Sequence, residues 1–75
     1  MIASLASPVE LATEIGKSLR LARAAQGLRQ EDLSSRSQAS LQAIKNLENG
    51  GKVELIPFLR VARTLVFRSI NTVTN

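Results

Sequence analysis

The chain has 75 residues, with 10 Lys+Arg against 6 Asp+Glu for a net charge of +4 and a pI near 10.8. It contains no Cys, His, Trp or Tyr. Those absences exclude a disulfide frame, an ordinary zinc site built on nitrogen or sulfur, and nucleophilic catalysis by Cys or His.

A chain this short holds one domain with one small core. Two Phe are too few for an aromatic platform that stacks single-stranded bases. The positive balance suits a polyanionic partner, and a solvated basic surface accounts for it equally well. Hydrophobic residues make up 44%, too many for a disordered basic tail. No apolar run approaches membrane-spanning length. Residues 1–8, small and uncharged, lack the features of a signal peptide and read as a flexible arm. The lack of Cys fits a reducing cytoplasm.

In chain order, Leu11, Ile15, Leu19 and Ala22 recur at three- and four-residue steps, predicting a helix over about 9–26 with these residues on its buried face. Pro8 suits its start and Gly27 its end. Glu31 and Asp32 suit the first turn of a short second helix at about 30–36. Ser37 to Ser40 read as a turn, with Ser40 the N-cap of a third helix at about 41–49 that buries Ile44 and Leu47 and stops at Gly50-Gly51. Leu55, Phe58, Leu59, Ala62 and Leu65 predict a fourth helix at about 55–66, with Pro57 in its first turn. Residues 67–75 lack helical period and are rich in Ile, Thr and Val. They read as an extended tail that either frays or forms a strand on a partner, and so as a candidate dimerisation segment. The fold class is all-α, a compact bundle of four to five short helices, with the domain proper at about 9–66.

The second and third helices with their short turn form the notable unit. Two short helices joined in this way make a helix-turn-helix, whose second helix enters the major groove of DNA. Gln42 and Asn46 stand four apart, opposite Ile44 and Leu47. Both amides can bond adenine bidentately, or can be solvated polar positions. Lys45 can reach a guanine or a phosphate; Leu41 can meet a thymine methyl or cover the second helix.

The stretch Gly27-Leu28-Arg29-Gln30-Glu31-Asp32-Leu33, followed by Ser40-Leu41-Gln42-Ala43-Ile44-Lys45-Asn46-Leu47-Glu48-Asn49-Gly50, resembles the Cro/cI-type (Xre-like) DNA-binding domain family, and Leu59 to Leu65 resemble its fourth helix. The resemblance spans about residues 14–66 and implies a lambda repressor-like bundle. It implies base readout by Leu41, Gln42, Lys45 and Asn46. It implies phosphate contacts from Gln30, Ser40, Asn49, Gly51 and Lys52, and a structural ion pair between Arg23 and Glu48. The chain departs from the pattern at Arg29, where a Ser or Thr cap is usual. Ser34 replaces a small Ala and needs a hydrogen-bond partner if buried. Gln38 stands where the turn has Gly and must either avoid the left-handed conformation or bear strain.

The expected function is a cytoplasmic, sequence-specific regulator of transcription, a repressor or autoregulator, acting as a homodimer on a palindromic duplex without a cofactor. The alternative is an antitoxin that binds a toxin protein and represses its own operon. A protein-interaction module is a remote third reading. No set of residues for enzymatic chemistry stands out.

Overall fold

The computed structural model describes residues 7–50 and 53–74, with side chains through Arg68. Helix α1 runs Pro8–Ala25, α2 Gln30–Ser37, α3 Leu41–Glu48 and α4 Leu55–Thr74. The described residues are all-helical, without strands, and pack as a small bundle.

Local chemistry fixes the helix ends. Ser7 caps α1: its hydroxyl accepts from the Glu10 N–H at 3.1 Å, and the Glu10 carboxylate accepts from the Ser7 N–H at 2.8 Å. That backbone donor holds the Glu10 carboxyl below its ordinary pKa. Of the arm read at 1–8, Ser7 and Pro8 are therefore the cap and first residue of α1, and residues 1–6 lie outside the described residues. The helix ends through Gly27, whose φ of 70° is left-handed, with the Leu28 N–H returning to the Arg23 carbonyl at 3.1 Å.

Arg29 offers no acceptor to α2. Instead the Asp32 carboxylate accepts from the Arg29 N–H at 2.9 Å, half of a capping box, and this bond lowers the Asp32 pKa. At the other end Gln38 takes the left-handed conformation, φ 66°, its N–H bonded to the Ser34 carbonyl at 3.0 Å. The turn therefore carries the strain that Gly would avoid. It is held by side chains on every side. The Ser34 hydroxyl donates to the Ala39 carbonyl at 2.7 Å, the Ser37 hydroxyl accepts from the Ala39 N–H at 3.1 Å, and Arg60 Nη1 donates to the Gln38 carbonyl at 3.0 Å. Gln38→Gly keeps each of these bonds, since Gln38 takes part through its backbone. It should raise stability by about 0.5–1 kcal/mol, read as a higher urea midpoint; a lower midpoint would show that the turn is not strained.

The core consists of Leu28, Leu33, Ala39, Ile44, Leu47, Val61 and Leu65, with Leu19, Ala22 and Phe58 packed around it. Helices α2 and α3 both lie on α4, and α1 packs chiefly on α3. Of the face expected on α1, Leu19 and Ala22 pack on the core and Ile15 is half-buried, and only Leu11 departs. Gly16 is its buried residue and Leu11 is 45% exposed. The reason is a close approach: a Cβ on Gly16 would overlap the Leu47 carbonyl oxygen and lie 3.3 Å from that of Glu48. The helix turns its glycine toward α3, and Leu11 rotates outward.

The extended tail read at 67–75 is corrected: α4 continues without a break to Thr74. Ile, Thr and Val each cost only tenths of a kcal/mol in a helix, and no Gly or Pro interrupts the run. Tertiary bonds hold this part of α4 as well. Gln26 Nε2 donates to the Leu65 carbonyl at 3.0 Å and Arg68 Nε donates to Gln26 Oε1 at 2.9 Å. α4 is thus 20 residues rather than a short helix.

Candidate nucleic-acid interface

The outward face of α3 rests on a rigid base. Ile44 and Leu47 are fully buried, which turns Gln42 and Lys45 to the exterior with Asn46 half-exposed beside them. Ser40 caps the helix, its hydroxyl accepting from the Ala43 N–H at 3.1 Å. Leu41, the first helical residue, is half-buried. At the far end Asn49 is exposed and Gly50 is left-handed, φ 70°, at a place where a Cβ would lie 2.8 Å from the Thr13 hydroxyl of α1. Gly51 and Lys52 lie outside the described residues.

Gln42 and Asn46 are adjacent. Gln42 Nε2 donates to Asn46 Oδ1 at 3.0 Å. The bond sets the two amides side by side and engages neither the Asn46 NH2 nor the Gln42 carbonyl oxygen. Their complement is one donor group next to one acceptor, which is also the pattern that adenine presents in the major groove.

Below this face a buried polar cluster joins three helices. Arg23 of α1 meets Glu48 of α3 as a two-pronged pair, Nε to Oε2 at 2.6 Å and Nη2 to Oε1 at 2.9 Å. Arg23 Nη1 also donates to the Leu28 carbonyl at 2.9 Å. Gln30, at the start of α2, donates from Nε2 to Glu48 Oε1 at 3.1 Å. The side chains of Arg23 and Glu48 are 14% and 3% exposed. Hydrogen bonding to Glu48 raises the Arg23 guanidinium above its ordinary pKa, against the opposing effect of burial. Gln30 is therefore committed to the cluster through one N–H, and its second N–H remains for an anion at the α2 N-terminus.

Among the other basic groups, Lys17 pairs with Glu14 at 3.4 Å and Arg29 with Asp32 at 3.6 Å, both exposed and weak. Gly16, Gln26, Arg60 and Arg68 carry structural contacts that sequence reasoning did not single out. The signal for Gly16 was present, since a glycine inside a helical pattern costs about 1 kcal/mol unless a close approach requires it.

Comparison with protein-family models, with curated proteins and with solved structures gives no match to this chain. None of the described helices is long and apolar enough to cross a membrane.

Proposed function

We propose that the chain is a sequence-specific binder of double-stranded DNA, a regulator of transcription of the Cro/cI-type that reads the major groove with α3. The observation that carries the reading is the pair of adjacent, outward amides of Gln42 and Asn46 on a helix whose back is fixed by Ile44, Leu47 and the Glu48 cluster. An amide–amide bond already made in the free chain favours the side-by-side arrangement that base contacts use. Lys45, next to them, supplies a cation for a guanine or a phosphate, and Leu41 an apolar contact at the helix start. The hydroxyl of Ser40, the second N–H of Gln30 and the Asn49 to Lys52 loop are the phosphate ligands in this reading. Such a protein acts in the cytoplasm as a repressor or autoregulator, without chemistry of its own, and two copies on a palindrome double the contacts.

The test is a titration of duplex DNA at two salt concentrations. Replacing Gln42 and Asn46 together by Ala should cost roughly 5- to 150-fold in affinity for the preferred sequence, from about 1–3 kcal/mol for the one bidentate contact that the pair makes. Nonspecific binding and its salt dependence should persist, since the phosphate ligands are untouched. An unchanged sequence preference would remove these two residues as readers.

A further inference from the structure

α4 bears two apolar lines. Val61 and Leu65 belong to the core and Phe58 packs against it. Leu55, Ile56, Leu59, Val66 and Phe67 face outward, each 48–67% exposed, on the side where a helix covering a small core ordinarily shows polar residues. Exposed Arg63 lies among them. Ile56, Leu59, Arg63 and Val66 follow the alternating three- and four-residue spacing of a helix–helix seam, and the sequence continues that spacing at Ile70 and Val73.

The positions are also symmetric along the helix. Reversing α4 about the level of Val61 exchanges Leu55 with Phe67, Ile56 with Val66, and Leu59 with Arg63. A two-fold interface requires this of a surface, because the same patch must complement itself.

We propose that a second copy of this chain covers the outer face of α4, the two helices lying antiparallel about a two-fold axis at the level of Val61. Leu55 then shares a layer with Phe67 of the partner subunit, and Ile56 with Val66 of the partner subunit. The aliphatic stem of Arg63 lies over Leu59 of the partner subunit while its guanidinium reaches water. A parallel pair would instead set the two Arg63 charges against each other. Five large apolar side chains exposed by about half or more offer on the order of 500 Å² per copy, and so about 1,000 Å² for the pair, at the lower edge of specific interfaces. The pairing is correspondingly weak, and Arg63 at its centre weakens it further. The proposal names the surface behind the two-copy reading of DNA recognition, but it stands on α4 alone.

Sedimentation equilibrium of the whole chain from about 1 to 200 µM tests it, since a weak dimer dissociates within that range. The wild type should pass from one copy to two. Leu59→Asp should retain the helical circular dichroism and raise the dissociation constant by roughly 30-fold or more, as for a residue at an interface centre. Arg63→Leu should tighten the dimer by about 10-fold, because it replaces a charge in an apolar seam. A wild type that stays monomeric throughout, or an Arg63→Leu chain that pairs no better than wild type, would overturn the proposal and leave the face to a different protein. Duplex titration of the same samples separates the two claims. A monomer that still prefers one sequence defeats the pairing alone. A dimer that Leu59→Asp dissociates but that has no sequence preference supports the pairing and counts against DNA reading.

Discussion

Replacing Arg23 by Met is expected to remove a large share of the protein's folding stability. The substitution removes the two-pronged partner of Glu48, whose side chain is 3% exposed, and leaves a buried carboxylate with the Gln30 amide as its remaining side-chain donor. Breaking a buried ion pair from one side costs about 3–5 kcal/mol. A chain of 75 residues has only about 4–11 kcal/mol of folding stability. The Leu28 carbonyl loses its donor in the same step, which loosens the link between α1 and α2. The cost belongs to the orphaned charge rather than to the pair as such, so Arg23→Met with Glu48→Leu should recover most of the loss. Urea denaturation followed by circular dichroism measures both variants. A double variant no more stable than Arg23→Met would show that the guanidinium acts through something other than Glu48.

Gly16→Ala is expected to destabilise by about 2–3 kcal/mol and to lower the melting temperature by about 10–20 °C, although alanine is the better helix former. Propensity alone favours the substitution by about 1 kcal/mol. The added methyl, however, meets the Leu47 and Glu48 carbonyls, which are backbone and cannot swing aside as a side chain would. α1 must therefore lift from α3, taking Arg23 away from Glu48. Gly27→Ala is the control. There a Cβ meets nothing within 4 Å and the only cost is the left-handed φ of 70°, about 1–2 kcal/mol. A thermal melt in which Gly16→Ala is as stable as the wild type would mean that the α1–α3 crossing is looser than described.

These two sites differ in how far they could be read from the sequence. The helix boundaries of α1 to α3 were legible because local chemistry sets them: Pro8 at a first turn, Gly27 and Gly50 at left-handed stops, and Ser40 as an N-cap. The Arg23–Glu48 pair came from a resemblance, because no local rule links residues 25 positions apart. On α1, Leu19 and Ala22 pack on the core as their period implies, whereas Leu11 is exposed and Gly16 is buried, because periodicity weighs Leu above Gly and a close helix crossing inverts that weighting at Gly16. The end of α4 was misplaced for a related reason. The β-preference of Ile, Thr and Val is small and context-dependent, and the bonds that hold the far half of α4 run through Gln26, 39 and 42 positions away from Leu65 and Arg68. On α3 the outward positions of Gln42 and Asn46 followed from the period. Their mutual hydrogen bond, and the engagement of Gln30 by Glu48, depend on rotamers that sequence spacing does not specify.

Selection of bound duplexes from a random library tests most directly the proposal that α3 reads base sequence. The wild type should enrich one short motif, with a second, inverted copy about one helical turn away if two chains bind together, and Gln42→Ala with Asn46→Ala should bind DNA without enriching it. Enrichment of no motif by the wild type, or of the same motif by the double variant, would contradict the account.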